Sequence, residues 1–308
     1  MDRKESAGGA DPKGVLAAVL TPMDEDLNPD HQVFAAHCHR LLAAGCHGLS
    51  VFGTTGEANS LSVDERLAAL EALVESGVAP EKLLPGTGSC ALTDTVRLSR
   101  AALEAGTAGA LVLPPFYYKG VGDDGLFRFF AEVVERVGDD SLRLYLYHIP
   151  QMTGIDLGLS LISRLIDAYP SIVVGTKDSS GDRERIMTLC REFPDFSVLA
   201  GTETLLLETL RGGGEGCISA TVNVTSRLAR RVHDAHAAGK ADDAEALQER
   251  LTQLRASIEA YPLIPALKQL MARLTGDEQW RNIRPPLSNL DERRTQDLLS
   301  NVPLTELL

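Results

Sequence analysis

Short apolar runs rich in Val, Ile and Leu alternate along this chain with longer stretches in which apolar residues recur every three or four positions. The first pattern is typical of buried β-strands, and the second of amphipathic α-helices. Eight such runs occupy residues 15–22, 47–53, 82–88, 108–115, 142–150, 172–178, 196–203 and 215–221. Strands that alternate with helices pair in parallel. Eight repeated units therefore predict an α/β fold of the closed (β/α)8 TIM-barrel type.

Residues at the ends of the amphipathic stretches support this assignment. The first helical stretch follows Asp30, a good N-cap residue, and stops at Gly45. The second begins with Ser62 and Glu65, which have the spacing of a capping box, and stops at Gly77. The alternative fold is an open, doubly wound sheet. It is disfavoured because no G-x-G-x-x-G sequence follows the first apolar run.

The pattern predicts three regions. Residues 1–13 are polar and glycine-rich without an apolar core, which indicates a disordered N-terminal arm rather than a signal peptide. Residues 14–238 form the predicted catalytic barrel. Residues 239–308 read almost entirely as helix and form a C-terminal helical extension, which several prolines interrupt.

Composition narrows the possible partners and location. The 308 residues are 44% hydrophobic and 24% charged and carry a net charge of -13. Such an acidic protein is a poor partner for nucleic acid or anionic membranes, and no apolar run is long enough to span a bilayer. The five cysteines lack a CxxC spacing and are odd in number, which predicts free thiols and a cytoplasmic location.

Candidate chemistry lies at the C-terminal ends of the predicted strands, where barrel enzymes place their active sites. Lys177 ends the apolar run at 172–178, and burial of an unpaired ammonium there is costly, so the uncharged amine is favoured. Such an amine attacks ketones to form imines. The structural alternative, which the lysine alone leaves equally open, is a salt bridge to Asp178 or to another carboxylate of the barrel. Tyr147, on the neighbouring predicted strand, favours catalysis because its phenol can shuttle protons, although Tyr145 or Tyr147 could instead fill the barrel core.

The turn after the second predicted strand could bind an anion. Thr54 and Thr55 offer hydroxyl groups, and Gly53 and Gly56 leave the backbone N–H groups accessible. Hydrogen bonds from these groups could hold a substrate carboxylate despite the repulsion expected from an acidic protein. An ordinary turn between a strand and a helix would contain similar residues, so this motif alone is only suggestive.

Four motifs together give a specific resemblance. GTTGE at 53–57, YHIPQMTG at 147–154, GTKDSSGD at 175–182 and GCISATVNV at 216–224 resemble the dihydrodipicolinate synthase / N-acetylneuraminate lyase family of class I, Schiff-base aldolases. The motifs occur in the order of the family, and the resemblance covers about residues 14–290.

The resemblance implies a role for individual residues. Lys177 matches the lysine that forms an imine with pyruvate, and Tyr147 matches the tyrosine that carries protons to and from it. Thr54 matches the threonine that links the tyrosines of a relay, and Thr55 the one that binds the 2-oxo acid carboxylate. Tyr117 resembles the relay tyrosine that members insert into a neighbouring subunit, so a homo-oligomer, a dimer or tetramer, is expected. No metal or organic cofactor is implied.

Departures from the family pattern bear on the substrate. Met152 occupies the position at which dihydrodipicolinate-forming members carry a carboxylate-binding arginine, and methionine cannot make that charged pair. His148 replaces the asparagine common after the tyrosine. Glu203 and Ser179, with Ser219 at the last strand end, occupy positions that could face substrate hydroxyls. Glu203 as a solvated loop carboxylate is an equally good interpretation.

The sequence therefore predicts a lyase that joins or separates pyruvate and an aldehyde, acting on a 2-keto-3-deoxy sugar acid or a compound of the 4-hydroxy-2-oxoglutarate type. Dihydrodipicolinate synthesis and a dehydratase or deaminase reaction on the same imine remain alternatives. A barrel that binds a small ligand without turnover is the non-enzymatic alternative.

No metal site is expected from the sequence. The candidate histidines and cysteines are spread over different faces of a helix and the start of a strand; they are His37, Cys38, His39, Cys46 and His47.

Overall fold

A computed structural model describes residues 12–308, so most of the predicted arm at 1–13 lies outside the described residues. Its centre is a sheet of seven parallel strands in the order β2-β1-β7-β6-β5-β4-β3. The strands are β1 (Gly14–Ala18), β2 (Gly48–Ser50), β3 (Ala110–Val112), β4 (Leu144–His148), β5 (Val173–Asp178), β6 (Ser197–Ala200) and β7 (Gly216–Ser219). Six of these strands fall within a predicted apolar run, and β1 begins one residue before its run.

The remaining predicted run, at 82–88, joins the two edges of this sheet. Leu83 forms a parallel bridge with Leu49 of β2, and Gly86 forms one with Leu111 of β3. Backbone bonds from Leu84 N to Leu49 O (2.9 Å) and from Leu111 N to Pro85 O (2.9 Å) close the ring. Pro85 has no N–H group and cannot extend a regular ladder, which explains why only isolated bridges form here. The sheet thus closes as a barrel.

Helices surround the sheet and continue beyond it. They are α1 (His31–Ala43), α2 (Val63–Glu75), α3 (Leu92–Glu104), α4 (Asp123–Val137), α5 (Pro150–Thr153), α6 (Leu159–Ala168), α7 (Arg183–Glu192), α8 (Leu206–Arg211), α9 (Val222–Ala237), α10 (Ala241–Glu259), α11 (Leu263–Thr275) and α12 (Glu292–Asn301). Asp30 caps α1, and Ser62 with Glu65 forms the capping box of α2, as predicted. Among the helices of residues 12–308, none combines the length and apolar composition needed to cross a bilayer.

Two layers of side chains inside the barrel place the reactive residues. Tyr145 is wholly buried and fills the lower layer opposite Gly175, where an added Cβ would lie 2.5 Å from the tyrosine ring. The parallel register sets Tyr147 beside Lys177 one layer higher. Because alternate residues of a strand face the same side, both tyrosines point inward, but only Tyr147 lies at the level of the lysine.

The predicted C-terminal extension is helical and packs on the barrel. Helices α10 to α12 follow the last barrel helix, α9. The single tryptophan, Trp280, lies in the segment that connects α11 to α12, and its side chain is buried. Asn282 donates to Met23 O (3.0 Å) and Asp24 O (2.8 Å), which ties the extension to the loop after β1. The extension therefore reaches the end of the barrel at which the strands terminate. Its boundary at residue 239 stays a prediction.

Candidate active site

A short hydrogen-bonded chain connects three of the predicted residues. Lys177 Nζ donates to Tyr147 Oη at 3.2 Å, and Tyr147 Oη lies 3.3 Å from Thr54 Oγ1. Lys177 and Tyr147 are only 4% and 3% exposed. The amine also lies 4.3 Å from the centroid of the Tyr147 ring. A phenol in direct contact with a buried amine can carry protons to and from groups attached to that nitrogen.

The alternative of a structural salt bridge does not describe Lys177. Asp178 is paired with Arg185 (2.6 Å) and accepts from Ser180, on the opposite side of β5. Within residues 12–308, Lys177 forms no salt bridge with any carboxylate, whereas Tyr147 contacts it directly. The amine is therefore available to a ligand that enters from above.

The amine opens into a cavity of about 680 Å³, a size typical of small-molecule sites. The wall from the barrel is rich in hydroxyl groups, which belong to Thr54, Thr55, Ser179, Ser180, Thr202 and Thr204. The opposite wall comes from the C-terminal extension and is mostly apolar, with Leu263, Ile264, Pro265, Pro286, Leu287 and Leu290. A ligand joined to Lys177 would thus meet hydrogen-bonding groups on one side and apolar groups on the other.

The turn after β2 brings Thr54 and Thr55 to this cavity, but its glycines serve other purposes. Thr55 is 7% exposed and lines the cavity beside Thr54. Gly53 lines a smaller recess below, and Gly56 lines neither space. A Cβ on Gly56 would lie 2.8 Å from Val19 O, so the close approach of two backbones explains this glycine. Neither Gly53 nor Gly56 lines the main cavity.

Glu203 and Ser219 lie outside the cavity, which corrects the expectation that they face substrate hydroxyls. Glu203 is wholly buried rather than solvated, and Arg255 Nη1 of α10 pairs with it at 2.6 Å. Ser219 and Thr221 also donate short hydrogen bonds to its carboxylate. Burial by itself raises the pKa of Glu203, but Arg255 and the two hydroxyls outweigh burial and hold it below the ordinary value. The Glu203 carboxylate is therefore one member of a buried ion pair that joins the barrel to the extension.

This pair predicts a large effect on stability. We expect Arg255→Met to lower the free energy of unfolding by about 3–5 kcal/mol, because Glu203 would remain buried without its counter-charge. Chemical denaturation of wild type and variant measures the loss. Arg211→Met is the matched control, since it removes an exposed ion pair (Arg211–Glu245, 2.9 Å) that also joins the barrel to α10, and should cost at most about 1 kcal/mol. Equal losses in the two variants would contradict the prediction.

The other predicted residues occupy varied positions. Ser179 lines the cavity, as does Met152, which is 62% exposed. His148 is buried behind the cavity, where its Nδ1 accepts from Leu157 N (3.3 Å); burial lowers its pKa. Tyr117 follows β3, is 73% exposed and packs against Tyr118 rather than the cavity. The structure therefore gathers Lys177, Tyr147, Thr54, Thr55 and Ser179, but not Tyr117.

Several residues at the cavity were missed by sequence reasoning. Arg255, Glu259 and Arg294 all line it, and all belong to the extension. Gln151 lines it as well and donates to Ser179 O at 2.6 Å. The only sequence signal was the helical extension itself, which gives no indication of the side on which it packs.

One possible metal cluster lies at the other end of the barrel, away from the cavity. His47, His233 and Asp234 place ligand atoms within 4.8 Å of one another. Arg230, however, pairs with Asp234 at 2.7 Å, and His47 Nδ1 accepts from Val15 N. A positive charge on the carboxylate opposes cation binding, so these contacts give no support to a metal site.

Comparisons with known proteins agree with this arrangement. The model of the "Dihydrodipicolinate synthetase family" matches residues 11–303. An uncharacterized DapA-like lyase of Chloroflexus aurantiacus is 36% identical over 290 residues, which cover 94% of this chain and 95% of that protein. The crystal structure of dihydrodipicolinate synthase from Agrobacterium tumefaciens has a TM-score of 0.86 and 33% identity and covers 94% of this chain and 97% of its own. YagE of Escherichia coli K12, solved with pyruvate, has a TM-score of 0.85 and 29% identity, and the coverage is 94% and 96%.

Proposed function

Because the chain belongs to the dihydrodipicolinate synthetase family, we propose that it is a class I lyase in which Lys177 forms an imine with a 2-oxo acid. The observation that carries this proposal is the buried Lys177 amine, which contacts the Tyr147 hydroxyl at 3.2 Å and no carboxylate among residues 12–308. A buried amine with a phenol beside it and a cavity above it suits covalent catalysis on a ketone. The pyruvate bound to YagE, a relative of the same fold, supports a 2-oxo acid as the ligand.

The reaction uses groups of the chain at each step. The Lys177 nitrogen attacks the 2-oxo carbon, and Tyr147 transfers protons as the carbonyl oxygen leaves as water. The protonated imine then withdraws the electron pair of the C3–C4 bond while the C4 hydroxyl loses its proton, which gives an aldehyde and the enamine of pyruvate. Protonation of C3 and hydrolysis of the imine release pyruvate and regenerate the amine. Thr54, next to Tyr147, and Thr55, which binds the substrate carboxylate, complete the site; no metal or organic cofactor takes part.

A hydroxylated 2-oxo acid is the substrate class that we propose. Support comes from the hydroxyl-rich wall of the cavity, where Thr202, Thr204 and Ser180 can exchange hydrogen bonds with substrate hydroxyls. Met152 lines the same cavity without a charge, which disfavours dihydrodipicolinate synthesis. Arg294 also lines it, and among residues 12–308 its guanidinium has a single, long ion-pair contact, with Asp291 (3.8 Å). A second substrate carboxylate, as in 4-hydroxy-2-oxoglutarate, is therefore compatible with this part of the cavity.

Borohydride reduction with pyruvate tests the proposal. We expect a stable mass increase on one peptide, which contains Lys177, because hydride reduces the imine to a secondary amine that hydrolysis cannot reverse. A panel of 2-keto-3-deoxy sugar acids and 4-hydroxy-2-oxoglutarate, with pyruvate release as the measurement, then identifies the substrate. The absence of an adduct at Lys177 in protein that binds pyruvate would favour a binding protein without turnover.

The assembly and location that we propose are a cytoplasmic homo-oligomer, a dimer or tetramer. The support is the exposed Tyr117, which is directed away from its own cavity and resembles the tyrosine that relatives insert into a neighbouring subunit. The acidic composition disfavours nucleic acid and membrane partners.

A further inference from the structure

A second buried lysine lies in the extension, in a place that the mechanism does not use. Lys268 of α11 has no exposed side-chain surface, and its Nζ lies 2.5 Å from Glu57 Oε1, which is equally buried. Lys268 Nζ also donates to Asn282 O at 2.6 Å. Removing two charged groups from water costs desolvation free energy, which is offset only where the geometry of the pair is good and further hydrogen bonds are made. The pair therefore fixes one specific contact between extension and barrel.

The anionic member of this pair belongs to the turn that carries the two threonines of the site. Glu57 has a left-handed backbone conformation (φ 55°), and its N–H donates to Thr54 O at 3.1 Å. Its second carboxylate oxygen accepts from Arg284 N at 3.0 Å. A non-glycine residue with a positive φ is strained and persists only where its surroundings hold it. Glu57 is thus a fixed charge two residues from Thr55.

The sign of that charge matters for an anionic substrate. The net charge of the protein is already -13, and a buried carboxylate is poorly screened by solvent. If Glu57 were unpaired, it would repel the carboxylate of a 2-oxo acid that approaches Thr55. Lys268 pairs with this carboxylate directly at 2.5 Å, whereas the nearby Arg284 guanidinium is paired with Glu65. Neutral surroundings then leave the threonine hydroxyls and backbone N–H groups free to bind an anion.

We propose that Lys268 is a positioning residue that acts through Glu57 to keep the turn at 53–57 receptive to the carboxylate of the 2-oxo acid. This inference rests on the proposed function only in the choice of ligand. It assigns to the C-terminal extension a part in binding the reacting end of the substrate, in addition to the apolar wall that it contributes at the far end.

Calorimetric titration with pyruvate tests the inference in the full-length protein. We compare Lys268→Met, Glu57→Gln and the double variant. Lys268→Met leaves an uncompensated carboxylate and should raise the pyruvate Kd at least tenfold. The double variant replaces the ion pair by a neutral pair and should return the Kd to within about threefold of wild type. Glu57→Gln leaves no anion and should not raise the Kd. Arg250→Met, which removes an exposed ion pair of the extension with Glu306, is the control.

The outcomes separate charge compensation from a purely structural role. If Lys268 only stabilises the fold, the Kd will follow the melting temperature across the variants, and the double variant will bind no better than Lys268→Met; this result overturns the inference. Should Lys268→Met fail to fold, a Kd for Glu57→Gln raised tenfold or more overturns it equally. Calorimetry reports pyruvate binding whether or not an imine forms. A wild type that binds pyruvate without a borohydride adduct would therefore refute the proposed chemistry and leave this test intact, whereas no pyruvate binding refutes both.

Discussion

Lys177→Ala is expected to lower turnover by on the order of 10⁴-fold or more, because in the proposed mechanism it removes the amine that bonds to the 2-oxo carbon. The amine is buried beside Tyr147, and among residues 12–308 no second lysine lines the cavity. Pyruvate release from the best substrate of the panel measures the loss. The borohydride adduct should vanish in the same variant.

The control for this variant is a lysine of equal chemistry in a different environment. Lys240 is exposed in the loop between α9 and α10, and Lys240→Ala should retain wild-type turnover and the adduct. Melting temperatures of both variants establish that folding is preserved. Turnover within tenfold of wild type in Lys177→Ala would refute the covalent mechanism, since binding and orientation by the remaining groups do not require the amine.

Hydrophobic periodicity predicted most of the fold because it reports local burial. Every predicted apolar run contains a strand or, at 83–86, a bridged extended segment. The same reasoning located Lys177 and Tyr147, because parallel strands of a barrel end at one face. Asp30, Ser62 and Glu65 were assigned correctly as caps, since a cap depends only on residues within one helical turn.

The rest of the site depends on contacts between distant parts of the chain, which periodicity does not describe. Glu203 lies just after a strand, as expected, but the arginine that pairs with its carboxylate lies 52 residues further along the chain, in α10. Glu57 belonged to a motif that was assigned by resemblance, while its partner Lys268 lies more than two hundred residues away. An amphipathic pattern shows that a helix packs on something, and only the folded chain shows on what. This is also why the apolar wall from the extension was not predicted.

Tyr147→Phe is expected to lower kcat by about 10²–10³-fold while the pyruvate Kd changes only a few-fold. Phenylalanine keeps the ring, whose centroid lies 4.3 Å from Lys177 Nζ, and removes only the hydroxyl that contacts Lys177 and Thr54. Proton transfer by a positioned side chain is worth about 10²–10⁴-fold. A loss confined to kcat is the behaviour of an interaction that is made in the transition state rather than in the bound ground state.

Tyr145→Phe is the matched control, because Tyr145 lies on the same strand and points inward one layer lower. It should keep kcat within a few-fold of wild type. Thr54→Val should fall between the two, since the threonine touches the phenol at 3.3 Å and not the amine. If Tyr147→Phe instead raised the pyruvate Kd and left kcat unchanged, the hydroxyl would serve ground-state binding. The proton path would then have to run through another group at the cavity, where Thr54, Thr55 and Ser179 supply hydroxyl groups.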